Sequence, residues 1–173
     1  SGWSTGVLGG WTPDEVRGVL SAHAAGNFAG SGRLYGDVTA NTTIRHCLDS
    51  RKQVWSMLPR HVTASGRGEG RRCADFMREV LHEVLPLNTL KVLHEHYMIM
   101  GFAVAAVDWE ERTDGKDRWW LPVIKPWHPA HLTYRWDWRQ RSADGGTFLA
   151  TTMNHGQVAV QPGDGRWLVI QNG

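Results

Sequence analysis

A chain of 173 residues, 41% hydrophobic and 21% charged, is long enough for one good core and too short for two large domains. This composition excludes disorder by composition, and no run of eighteen apolar residues exists to make a helical membrane span. The net charge of +2 is far from the strongly basic balance of a dedicated nucleic-acid binder.

The first element begins at Thr12-Pro-Asp-Glu15. Thr at the N-cap, Pro at the first helical position and Glu at the third predict a capping box. The helix carries Val16, Val19, Leu20 and His23 and ends near Gly26. Residues 26–36 hold four glycines and a serine, and they read as a loop. From about Asp37 to Leu58, residues Ile44, Cys47, Leu48, Arg51, Val54, Trp55 and Leu58 fall on one face of a long helix. The spacing predicts Ile44, Cys47, Leu48, Val54, Trp55 and Leu58 as a core stripe, with Cys47 as a buried reduced thiol. Pro59 closes this helix, His61–Ala64 reads as a short strand, and Ser65–Gly70 as a turn. A further helix is expected over 71–85, broken by Pro86, and another over 90–101.

After Gly101 the period changes from 3.6 to 2. Phe102–Glu110 reads as a buried strand, Thr113–Asp117 as a turn and Trp119–Ile124 as the antiparallel partner. Strands follow at 132–138, 147–152, 158–160 and 167–170, with turn clusters at Ser142–Gly146 and Gln161–Arg166. Helices first and strands second make an α+β protein, with N-terminal helices packed on an antiparallel, Trp-rich sheet.

Catalytic and metal-binding signatures are thin. His94 and His96 sit two apart, so on a helix they point in nearly opposite directions, and neither HExxH nor CxxC occurs. His128 and His131 lie in a Pro-interrupted link and read as structural. Gly-x-Ser-x-Gly is absent, and no P-loop is present. Asp108, Glu110 and Glu111 at a strand end have the usual look of a hairpin entering solvent. No catalytic residue, metal or cofactor is therefore assigned. Two cysteines do not make a disulfide scaffold. Arg60, Arg67, Arg71 and Arg72 cluster around a turn, either as a solvated turn or as a weak phosphate contact.

The ten tryptophans, and fifteen Arg against four Lys, are the most specific feature of the composition. Alternation puts Trp136 and Trp138 on one strand face beside Tyr134. Trp119, Trp120, Trp127, Trp136 and Trp138, with Arg135 and Arg139, form the candidate interface set. Three readings stand open: a sugar-stacking platform, a protein interface, or the covered face of the sheet. The N-terminus has no basic and apolar leader of the signal-peptide kind and no initiator Met. Together with an end just after a strand-like run, it reads as a piece of a longer chain.

The order of particular strings carries more. Thr42-Thr-Ile-Arg-His-Cys-Leu-Asp-Ser-Arg-Lys-Gln53 followed by Met57-Leu-Pro59 resembles a helix of tailed-phage portal proteins, especially the Mu-like group. Gly101-Phe-Ala-Val-Ala-Ala-Val-Asp-Trp-Glu110 is similar to a strand of that family. Trp120-Leu-Pro122, Leu132-Thr-Tyr-Arg135 and Pro162-Gly-Asp-Gly-Arg-Trp167 follow in the family's order. The resemblance runs from about residue 37 to the end.

It implies a non-enzymatic structural protein of the virion, part of a ring, usually a dodecamer, at one special vertex of the capsid. Double-stranded DNA is packaged and ejected through that ring. Its implied partners are other copies of itself, the major capsid protein, the packaging terminase and the head-to-tail adaptor, and no membrane. This segment corresponds to the wing: an N-terminal helix and Gly-rich loop at 1–36, a helical part at 37–101 and a β part at 102–173. The stem, clip and crown are expected beyond residue 173. The alternative is a Trp-rich carbohydrate- or ligand-binding module.

Overall fold

The computed structural model describes residues 10–64, 68–136, 146–153 and 156–171. Five helices come first: α1 (Pro13–Ala24), α2 (Ala29–Ala40), α3 (Thr42–Ser56), α4 (Glu69–Val84) and α5 (Leu87–Met100). Six strands follow: β1 (Phe102–Asp114), β2 (Asp117–Trp127), β3 (Leu132–Trp136), β4 (Gly146–Thr152), β5 (Gly156–Ala159) and β6 (Trp167–Gln171). A single 3-10 turn, Pro129–His131, links β2 to β3. The protein is α+β. Its strands divide between two antiparallel three-stranded sheets, ordered β2-β1-β6 and β3-β4-β5.

Local chemistry explains several boundaries. Thr12 and Glu15 close the capping box of α1, with the Glu15 carboxylate accepting the Thr12 N–H at 2.7 Å. Asn41 caps α3 by accepting the N–H groups of Thr43 and Ile44. Helix α5 stops at Gly101, whose φ of +79° suits a residue without Cβ, and β1 starts at the next residue.

β1 is the middle strand of the first sheet, and both of its faces are covered near its start. On one side Val104, with Trp127 and Val169, meets Phe28, Met100, Leu132 and Phe148 in the space between the two sheets. On the other, Ala103 and Ala105, with Ile124 and Leu168, meet Leu93 of α5. α5 therefore covers the outer face of the first sheet, while the α1–α2 connection reaches the second, where Asn27 bridges Thr133 of β3. Beyond residue 107 the β1–β2 hairpin leaves this sandwich, and residues 108–118 are exposed.

The structure corrects four local expectations. Residues 29–36 are helix α2, not loop. Gly32 serves close packing: a Cβ there would lie 2.6 Å from Ala130, so only glycine lets α2 approach the 3-10 turn. Residues 61–64 form no strand. The Arg78 guanidinium donates to the Val62 carbonyl and holds that segment against α4. The stripe on α3 is not core, since α3 contributes no buried residue. Cys47, Val54 and Leu58 are exposed, while Ile44, Leu48 and Trp55 are half-buried. Cys47 is consequently an accessible thiol.

Candidate assembly site

What turns the apolar side of α3 outward is a polar cluster on its inner side. Glu95 of α5 is 6% exposed. Its carboxylate accepts from the Tyr35 hydroxyl at 2.5 Å, from the Arg45 guanidinium at 3.1 Å and from the Lys52 ammonium. Arg45 also donates to the Thr39 carbonyl, and Lys52 pairs with Asp49 at 2.6 Å. Arg45 and Lys52, seven residues apart, lie on one face of α3 and fix that face toward α5. The apolar stripe read from the sequence is centred roughly a quarter turn away, at 100° per residue. Its Cys47, Val54 and Leu58 edge is left on the outside, while Ile44, Leu48 and Trp55 stay half-buried.

Burial by itself would raise the Glu95 carboxyl. The Lys52 and Tyr35 hydrogen bonds and the two nearby cations outweigh it and hold the group below the usual carboxylate range. Tyr35 is pushed well up, by burial first and then by the Glu95 carboxylate. Burial tends to lower Lys52, yet its bonds to Asp49 and Glu95 prevail and raise it. Glu95 and Lys52 thus stay charged, and Tyr35 neutral, at neutral pH.

Next to this cluster, on the same helix, lies a groove of about 500 Å³ lined by Arg51, Val54, Trp55, Leu58, His94 and Met98, with Ser50. The Trp55 indole lies flat on His94, with centroids 4.4 Å apart and planes 6° apart. Val54, Met57 and Leu58 are 67%, 71% and 58% exposed. Val54 and Leu58 open at this groove, whereas Met57 lies beside Asp49, Lys52 and Lys91.

No protein-family model matches the chain, and no curated protein matches it.

The candidate Trp and Arg residues do not come together in one patch. Trp119, Trp120 and Trp127 lie on β2, Trp136 and Arg135 on β3 of the other sheet. Trp120 and Trp136 are 60% and 59% exposed. Trp119 and Trp127 are half-buried, and Trp127 meets Trp167 edge-on at 5.6 Å. Arg135 is exposed, and Trp136 packs edge-on against Tyr134 at 4.7 Å. Trp138 and Arg139 lie outside the described residues.

Of the basic cluster, Arg60 is engaged within the chain, donating to the Leu85 carbonyl and to His82 at 2.9 Å each. Arg71 and Arg72 are exposed in the first turn of α4, and Arg67 lies outside the described residues. His94 and His96 diverge as their spacing requires: His94 toward Trp55, His96 toward Tyr35 and His128. Among the described residues no group of three or more His, Cys, Asp or Glu is placed to hold a metal ion. Asp108, Glu110 and Glu111 each face a cation, namely Lys125, Arg112 and Arg118.

Sequence reasoning missed Tyr35, Arg45, Lys52 and Glu95. The only available signal was the i, i+7 spacing of Arg45 and Lys52 on a helix whose other face is apolar.

Proposed function

We propose that this chain is a wing segment of a tailed-phage portal protein, a structural ring subunit and not an enzyme. The observation that carries the reading is the open apolar edge of α3 and of the turn after it, where Val54 and Leu58 are exposed beside a groove. That helix is the one whose residues 42–53 resemble the family. A ring subunit needs such a surface, because each copy must bury a patch against the next. The order of α3, α5, the long β1–β2 hairpin and the closing 161–166 turn supports it further. In this reading the ring sits at the special vertex of the virion and is a dodecamer, as the resemblance implies. The terminase, the adaptor and the capsid shell dock on the intact protein, and DNA passes through its channel.

The test is negative-stain imaging and mass photometry of the full-length protein. Closed rings with a central hole are the expected result. Monomers at every concentration, with binding to glycans on an array, would instead assign the chain as a carbohydrate-binding module.

A further inference from the structure

We propose that the α3–α5 groove of one copy receives the Trp120 side of the β1–β2 hairpin of the next copy. This contact rests on the ring reading above and names the two surfaces that would close it.

The register of the hairpin puts one knob on display. Glu111 stands directly across from Trp120, and Trp109 directly across from Pro122, so these four side chains share one sheet face. Trp109 and Trp120 are 51% and 60% exposed on that face, with Glu111 beside them. The hairpin end leaves the sandwich; Trp109 is tied to the 161–166 turn, its indole N–H donating to the Gly165 carbonyl at 2.9 Å, and Trp120 is the more open of the two. The groove offers the complement: an apolar floor of Val54, Trp55, Leu58 and Met98, with the cationic Arg51 at its edge. Its volume of about 500 Å³ lies within the range of cavities that enclose bulky apolar groups.

Charge favours this pairing over groove against groove. Glu111 bonds Arg118 only at 3.4 Å, and both are exposed, so its carboxylate has capacity for a second guanidinium. Two grooves facing each other would set Arg51 against Arg51. Knob and groove also lie on different elements of the chain, the condition for a head-to-tail contact that can close into a ring. Trp and Arg, which this contact would pair across the two copies, are the residue types enriched at interface centres.

Mixed cross-linking tests the contact in full-length protein whose exposed Cys47 and Cys73 are first changed to Ser. Trp120→Cys and Leu58→Cys are prepared separately, then mixed and oxidised. Both positions are more than half exposed, so each variant retains the fold, checked by circular dichroism. Covalent dimers in the mixture and none in either variant alone are expected. In parallel, Arg51→Glu and Glu111→Arg should each weaken self-association severalfold, and the pair combined should restore it. Rings that form without the mixed cross-link, or that cross-link in one variant alone, overturn this contact and leave the ring reading standing. Protein that stays monomeric and uncross-linked overturns both.

Discussion

The Lys52 ammonium on α3 reaches the Glu95 carboxylate on α5 across 43 residues of sequence, and the two side chains are only 12% and 7% exposed. Removing one member of such a pair leaves the other buried and uncompensated. Glu95→Gln keeps the shape and removes the charge that Arg45 and Lys52 share. We expect a loss of about 3 kcal/mol, the low end for a broken buried pair, because Asp49 still faces Lys52. Urea unfolding measures it. A loss below about 0.5 kcal/mol, the level of an ordinary surface change, would mean that the cluster does not hold α3 in place.

Two glycines of α2 should respond with opposite signs to the same substitution. A Cβ on Gly32 meets Ala130, including its backbone, at 2.6–2.7 Å, whereas a Cβ on Gly36 meets nothing within 4 Å. Gly32→Ala is expected to cost about 1–3 kcal/mol through overpacking. Gly36→Ala should stabilise by about 0.5–1 kcal/mol, the helix-interior preference for Ala. Thermal melts of the two variants side by side decide it, and equal shifts would contradict the packing of α2 on the 3-10 turn.

Acidification should weaken the fold before the carboxylates titrate. His96 is 4% exposed and its Nδ1 has no hydrogen-bond partner. Burial first, and then the neighbouring His128, push it down to about 4, with Glu95 pulling the other way. The folded state therefore binds a proton here less readily than the unfolded chain, whose value is near 6.5. Stability from the neutral ring is complete above pH 6.5 and declines as pH falls toward 4, by about 3 kcal/mol in all. His128, also lowered by burial, adds to the slope. Unfolding free energies at pH 7.5 and 4.5 should differ in this direction, and His96→Phe should flatten the difference.

Both thiols should react in the native protein. Cys47 and Cys73 are exposed, so an aromatic disulfide reagent is expected to titrate two groups without denaturant. In assembled rings, protection of Cys47 would place its side of α3 inside a subunit contact.

Particular residues show why some of this was legible in the sequence. The capping residues Thr12 and Glu15, the left-handed Gly101 and the turn between Asp114 and Asp117 act within a few positions of themselves, and their types name their roles. The change of period at Gly101 located the boundary between helices and strands for the same reason. The stripe on α3 was correctly seen as apolar, but periodicity says which residues share a face and not what that face meets. The answer lay with Glu95, about fifty residues away from Arg45. Gly30, Gly32 and Gly36 together looked like a loop, and the cause at Gly32, the close approach to Ala130, is likewise remote in sequence. The split of the strands into two sheets, with β6 returning to pair with β1 and not with its neighbour β5, is a pairing that no local pattern announces.

β1 runs unbroken for thirteen residues from a packed root to an open tip. At about 3.3 Å per residue it is a beam roughly 40 Å long. Its root is clamped between α5 and the second sheet at Val104 and Ala105, both 0% exposed. Its hydrogen bonds to β2 lie across the beam, so a pull along it loads many of them in shear at once instead of peeling them singly. A force applied near Trp120 therefore arrives at the root with little local yielding. The hairpin is thus a lever whose load is carried by the β1–β2 ladder to a buried root.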